Sequence, residues 1–249
     1  MKIAIVGKGG VGKTFLAYNL IKFFAKDGFK VIGIDCDNNP TLSLKFGVED
    51  ITPLSKREDI IEERTGAKPN TYGTVFKINP KVDDLVDKVG YKVNDKITLI
   101  VMGTIEKSGQ GCVCPASTLL RRFLRHLILK RNEVVILDME AGLEHFGRKT
   151  LENIDMLIIV VENTKTSLIT GKRIKKLANE LGIKNIKVVI NKVIDDEFKK
   201  LVEEEIGEVI GVIPYDKSVV MSEFGKRINK KIEEELFNIY KKIKSELSP

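Results

Sequence analysis

Residues Gly7-Lys8-Gly9-Gly10-Val11-Gly12-Lys13-Thr14 match G-x-x-x-x-G-K-S/T in full, the spacing that folds backbone N–H groups around phosphate oxygens. Gly9, Gly10, Val11 and Gly12 supply the curl. Lys13 can reach terminal phosphates, the Thr14 hydroxyl can ligate Mg²⁺, and the Phe15 N–H remains for a further phosphate contact. A second reactive stretch runs over 134–142, where an apolar segment delivers Asp138 and then Gly142. An acid there can hold the magnesium of a nucleotide, directly or through water, and the glycine can form a switch that senses the γ-phosphate. The third is Cys112-Val113-Cys114-Pro115. Proline suits a first helical position, so Cys114 becomes the cap, where the helix dipole favours a thiolate. Two such thiolates can share one soft ion, Ni²⁺ or Zn²⁺, yet they supply only two of the four ligands these ions take. Asn191-Lys192 and Pro214-Tyr215 each follow an apolar run; the Asn191 amide can pair with an adenine edge, and the turn at Pro214 can form the other wall of a base pocket.

The elements that must carry these residues are legible from periodicity. Apolar runs predict strands over 3–6, 30–35, 97–102, 134–138, 157–161, 186–190 and 209–213. Helical patterns fall between them, over 13–26, 115–130, 168–181 and 196–206, with a short helix at 40–46. Alternation of this kind requires crossover connections, so the expected fold is α/β: one P-loop NTPase domain over 1–249, a mostly parallel twisted sheet of about seven strands with helices on both faces. Residues 47–96 are more polar and broken by Pro53, Pro69 and Pro80. They read as an insertion over the nucleotide side, with helices at 56–65 and 82–88. A final amphipathic helix is expected through Met221, Phe224, Ile228, Ile232, Leu236, Ile239, Ile243 and Leu247, spaced by three or four.

Composition narrows the classes. Lys and Arg number 42 against 35 Asp and Glu, a net +7, with charge on 31% of residues. The charge is mixed in sign along helical faces, which describes a solvated surface and predicts no nucleic acid partner. The first apolar segment runs straight into the phosphate loop, which is not a signal-peptide pattern, and no apolar run is long enough to cross a membrane. A cytoplasmic chain is therefore expected, in which three cysteines serve thiol or metal chemistry and not disulfides. Cys36 reads as a small buried side chain. His126 and His145 read as packing or surface residues, and Arg121, Arg122 and Arg125 as solvated surface or a dock for an acidic client.

The extra lysine in K-G-G-V-G-K-T resembles the deviant P-loop of the MinD, ParA and nitrogenase iron protein class. That resemblance implies that Lys8 reaches across a two-fold axis to the nucleotide of a partner subunit, so that ATP holds a homodimer together. It implies that Asp37, the second acid of Asp35-Cys36-Asp37, orients the water that attacks the γ-phosphate, and that Asn191 contacts adenine. Phe15 departs from the threonine common in the class. A two-fold dimer would also bring a second Cys112 and Cys114 to the axis, completing four sulfurs around one ion.

Further stretches resemble the carbon monoxide dehydrogenase maturation family of nickel-insertion ATPases: I-T-P-L from Ile51, E-R-T-G from Glu63, N-P-K-V-D from Asn79, G-C-V-C, D-M-E-A-G-L-E-H from Asp138, and I-N-K-V followed by I-P-Y. They imply ATP or ADP with Mg²⁺, Ni²⁺ or Zn²⁺ on Cys112 and Cys114, and carbon monoxide dehydrogenase or its acetyl-CoA synthase complex as client. Two other readings fit the same loop. One is a reductase-like ATPase with a four-iron, four-sulfur cluster across the dimer; the other is a MinD- or ParA-like positioning ATPase without metal.

Overall fold

The computed structural model describes residues 1–37, 39–68, 75–103, 115–127, 132–139, 153–193 and 197–246. Its frame is one eight-stranded sheet. The strands are β1 (Lys2–Gly7), β2 (Lys30–Cys36), β3 (Tyr91–Lys92), β4 (Ile97–Val101), β5 (Glu133–Met139), β6 (Met156–Glu162), β7 (Ile186–Val193) and β8 (Val209–Pro214), in spatial order β3-β4-β2-β5-β1-β6-β7-β8. Every pairing is parallel except β3 with β4. The seven expected strands are all present. The eighth, β3, is a two-residue antiparallel edge whose residues are exposed, too short for any periodicity to mark.

The central strands are buried on both faces, which is why their sequences are unbroken apolar runs and not alternations. One face carries α1 (Lys13–Lys26), the one-turn α2 (Leu42–Lys45), and two C-terminal helices, α8 (Lys217–Ser222) and α9 (Lys230–Ser245). The other carries α3 (Glu58–Thr65), α4 (Leu85–Val89), α5 (Pro115–His126), α6 (Lys165–Glu180) and α7 (Glu197–Glu205). Leu54, Ile60, Ile61, Val82 and Leu85 of the 47–96 segment join this second core beside Leu119, Leu120 and Phe123 of α5. These residues pack on the face opposite α1, whereas Ile51 and Val93 of the same segment pack against the α1-side core.

The expected single helix from Met221 onward is two helices. Gly225 at φ 79° breaks the chain after α8, and Asn229 restarts it, its side chain accepting from the Lys231 N–H. Ile232, Leu236, Ile239 and Ile243 are fully buried on α9, whereas Phe224 is 76% exposed. The three-and-four spacing continues through the break by coincidence, so the break had no apolar signature. Burial of α9 depends on a missing side chain beneath it: a Cβ on Gly211 of β8 would meet Ile239 Cγ1 at 2.1 Å. Gly211→Ala should therefore lift α9 and cost about 1–3 kcal/mol, read as a lowered denaturant midpoint.

Candidate functional site

β1 lies between β5 and β6, so the loop after it opens at the middle of the sheet's C-terminal edge, where parallel α/β sheets bind ligands. Gly10 and Gly12 have φ of 80° and 98°, left-handed conformations that turn successive N–H groups toward one centre. Gly12 precedes α1 without any side-chain cap, leaving the first-turn N–H groups of that helix directed at the loop. Gly9 and Gly10 are exposed, Thr14 is half-buried, and Lys13 is buried with its ammonium 3.3 Å from the Lys8 carbonyl. Phe15, where the class resemblance expected threonine, is 8% exposed and packs into the α1-side core, so only its backbone faces the loop.

Two acids meet this loop from neighbouring strands. Asp35 on β2 and Asp138 on β5 are paired in register, and Asp138 also sits opposite Ile5 of β1. They are used differently. Asp35 accepts from the N–H groups of Asp37, Thr41 and Leu42, at 3.0, 2.9 and 2.8 Å, and so anchors the start of α2 to the sheet. Burial raises its pKa, and those three N–H groups hold it down. Asp138 is 2% exposed and neither of its carboxylate oxygens has a hydrogen-bond partner. Burial pushes its pKa up to about 7, against the pull of the nearby Thr14 hydroxyl and Lys13 ammonium and with a push from Asp35. Two orphaned carboxylate oxygens beside a threonine hydroxyl are hard oxygen donors with no partner, the set a divalent cation accepts, so Thr14 and Asp138 fit Mg²⁺. Thr41 donates to the Thr14 hydroxyl at 3.3 Å, which ties the segment after Asp37 to the same point. Asp37 is half-buried; its carboxylate accepts from the Asn39 N–H, and it lines an open groove of about 2640 Å³ that begins at Gly9 and runs along α1.

Asn191, Lys192 and Pro214 fall together at the adjoining ends of β7 and β8, where Val193 pairs with Pro214 across a register shift. The first two brace the phosphate loop. Asn191, 7% exposed, donates to the Val11 carbonyl at 2.8 Å and accepts from the Lys192 N–H at 2.9 Å. Lys192, at φ 58°, donates to the Gly10 carbonyl at 2.6 Å and pairs with Glu162 at 3.0 Å. Lys8 also reaches Glu162, at 3.7 Å. A Cβ on Gly12 would stand 2.2 Å from the Asn191 amide nitrogen. Asn191→Ala should therefore loosen the loop and orphan the Val11 carbonyl, costing about 1–3 kcal/mol in a denaturant titration of the nucleotide-free chain.

Sequence reasoning named Lys13, Thr14 and Asp138 through their motifs. It missed Glu162 and Thr41, because each acts through partners distant in the chain. Cys112 and Cys114 lie outside the described residues, as do Gly142, Glu140, Glu144 and His145. Among the described residues no group of three His, Cys, Asp or Glu could hold a metal, Cys36 is buried, and no helix is long and apolar enough to cross a membrane.

A family model described as the CobQ/CobB/MinD/ParA nucleotide binding domain matches residues 2–228. An uncharacterized ATP-binding protein of Methanocaldococcus jannaschii is 66% identical over 98% of this chain and 99% of its own. The carbon monoxide dehydrogenase accessory protein CooC of Rhodospirillum rubrum is 42% identical over 88% of this chain and 85% of its own. The MinC:MinD cell division complex of Aquifex aeolicus shares the fold, with a TM-score of 0.71 at 22% identity over 100% of this chain and 97% of that one. The chain belongs to the CobQ/CobB/MinD/ParA nucleotide-binding family and is a P-loop ATPase of it.

Proposed function

We propose that this ATPase is a cytoplasmic metallochaperone of a single domain over 1–249, which closes into a homodimer on ATP and carries nickel or zinc between two Cys112-Val113-Cys114 segments for the maturation of carbon monoxide dehydrogenase. The observation that carries this reading is the presence of a lysine-bearing phosphate loop and a C-x-C, immediately before Pro115 in sequence, in a chain 42% identical to a carbon monoxide dehydrogenase accessory protein. The topology supports it. β4 delivers the chain to the same edge as the phosphate loop, with the Met102 N–H on the Asp35 carbonyl at 2.8 Å, and α5 begins at Pro115, directly after Cys114. The two elements that flank the cysteines in sequence therefore end and begin on the nucleotide side.

In this mechanism the glycine loop and the N-terminus of α1 bind the phosphates, and Lys13 holds the terminal ones. Thr14 and Asp138 would hold Mg²⁺, which would supply neutralisation of the phosphate charge. Lys8 binds the partner subunit's nucleotide, and Asp37 at the mouth of the groove orients the attacking water. Asn191, Lys192 and Pro214 lie beside the base, with the first two also fixing the loop. Closure gathers four thiolates on the two-fold axis around the metal cargo; hydrolysis separates them and releases it to the client.

Sedimentation equilibrium tests the gate. The wild-type chain should be dimeric with a non-hydrolysable ATP analogue and monomeric with ADP, and Lys8→Ala should be monomeric with both. A Lys8→Ala chain that dimerises like wild type contradicts the bridging role.

A further inference from the structure

Lys8 is not idle within its own chain. Its ammonium faces Glu162 at 3.7 Å, and the other carboxylate oxygen of Glu162 is taken by Lys192 at 3.0 Å. Glu162 ends β6, in register with Asn191 on β7, and its backbone N–H donates to Ser167 at 3.0 Å, which fixes where the side chain starts. The carboxylate is 15% exposed, whereas Lys8 is 40% exposed. Lys192 has a second anchor on the Gly10 carbonyl, in the phosphate loop itself. One carboxylate is therefore shared by two lysines of unequal freedom. Lys192 is held at both ends of its contact, and Lys8 is held by Glu162 at the longer of the two distances.

We infer that Glu162 is a positioning residue that retains Lys8 beside its own subunit's phosphate loop until a second subunit presents a triphosphate, at which point Lys192 keeps the carboxylate paired. The inference rests on the bridging role of Lys8 proposed above. A polyphosphate carries more negative charge than one carboxylate, so it can draw Lys8 away. The departure leaves no buried charge alone, because Lys192 remains on Glu162. The pair thus sets how much triphosphate closure requires, and it opposes closure around ligands of lower charge.

The test is the concentration of a non-hydrolysable ATP analogue at which half the chains are dimeric, measured by sedimentation at low salt for wild type, Glu162→Gln and Glu162→Asp. Glutamine keeps an acceptor for Lys192 and removes the charge that holds Lys8; aspartate keeps the charge. Partly exposed ion pairs carry small energies, so the midpoint for Glu162→Gln should fall about two- to five-fold, Glu162→Asp should stay near wild type, and the gap should narrow at high salt. A thermal melt of each variant confirms folding. Glu162→Gln and Glu162→Asp shifting alike would show that side-chain shape and not charge is at work, and would overturn the inference. So would a wild-type midpoint in Glu162→Gln. A wild-type chain that stays monomeric at every analogue concentration overturns the dimer reading itself, and this inference with it.

Discussion

Asp138→Asn should stabilise the nucleotide-free chain and nearly silence it as an ATPase. In the wild type a buried carboxylate with no hydrogen-bond partner stands beside the phosphate loop, and burial pushes its pKa up to about 7 from an ordinary value near 3.8. Between those values the folded chain keeps a proton that the unfolded chain has lost. The contribution of Asp138 to stability is then full below about pH 4, declines as pH rises, and is gone above about pH 7. The amide cannot ionise, so the variant lacks this decline. At pH 8 it should be the more stable form by about 2–4 kcal/mol, and at pH 4 the two should be nearly equal. Subtracting the two stability profiles cancels the other carboxylates. The same substitution removes a charged oxygen ligand from Mg²⁺, and hydrolysis should fall by at least about 10²-fold. A variant with lower stability at pH 8, or with wild-type hydrolysis, would remove Asp138 from the magnesium site.

Lys13→Met is expected to have an equally large effect on chemistry and little on the fold. Lys13 is buried at the first turn of α1 with its ammonium turned back to the loop, 3.3 Å from the Lys8 carbonyl. Methionine matches its aliphatic stem, so packing survives. The positive charge that meets the terminal phosphates is lost, and a donor aimed at charge developing in the transition state accounts for about 10²–10³ in turnover. Steady-state hydrolysis should fall by that factor while the melting temperature without nucleotide moves little. Lys13 also lowers the pKa of Asp138, so the variant's magnesium affinity should decline more steeply below neutral pH. Unchanged turnover would place the phosphates elsewhere.

The sequence revealed the sheet because strands buried on both faces cannot avoid continuous apolar runs, and it revealed the loop because phosphate binding demands glycine at fixed spacing. Residues 221–247 misled for a different reason: Met221 and Phe224 keep the three-and-four spacing although they are exposed, so the pattern runs by coincidence across the turn at Gly225. Asn191 shows the other limit. An amide at a strand end suits a base edge and a loop carbonyl equally, and only the sheet order, which sets β7 two strands from β1, brings it to Val11. Glu162 was invisible as a motif because its partners, Lys8 and Lys192, stand far away in the chain and meet it only at the sheet edge. Side chains that act on a ligand are written in local motifs; side chains that act on those side chains are written in topology.

Both large effects concern the nucleotide, and a nucleotide switch alone would show them. The claim that sets this chain apart is that closing two subunits builds a metal site. Metal analysis of the gel-filtered chain, incubated anaerobically with Ni²⁺ and a non-hydrolysable ATP analogue, measures it most directly. The account predicts about one nickel per two chains with the analogue, little with ADP, and none in a Cys112→Ala, Cys114→Ala double variant that still dimerises. Equal nickel in the double variant, or a wild-type dimer that holds none, would contradict it.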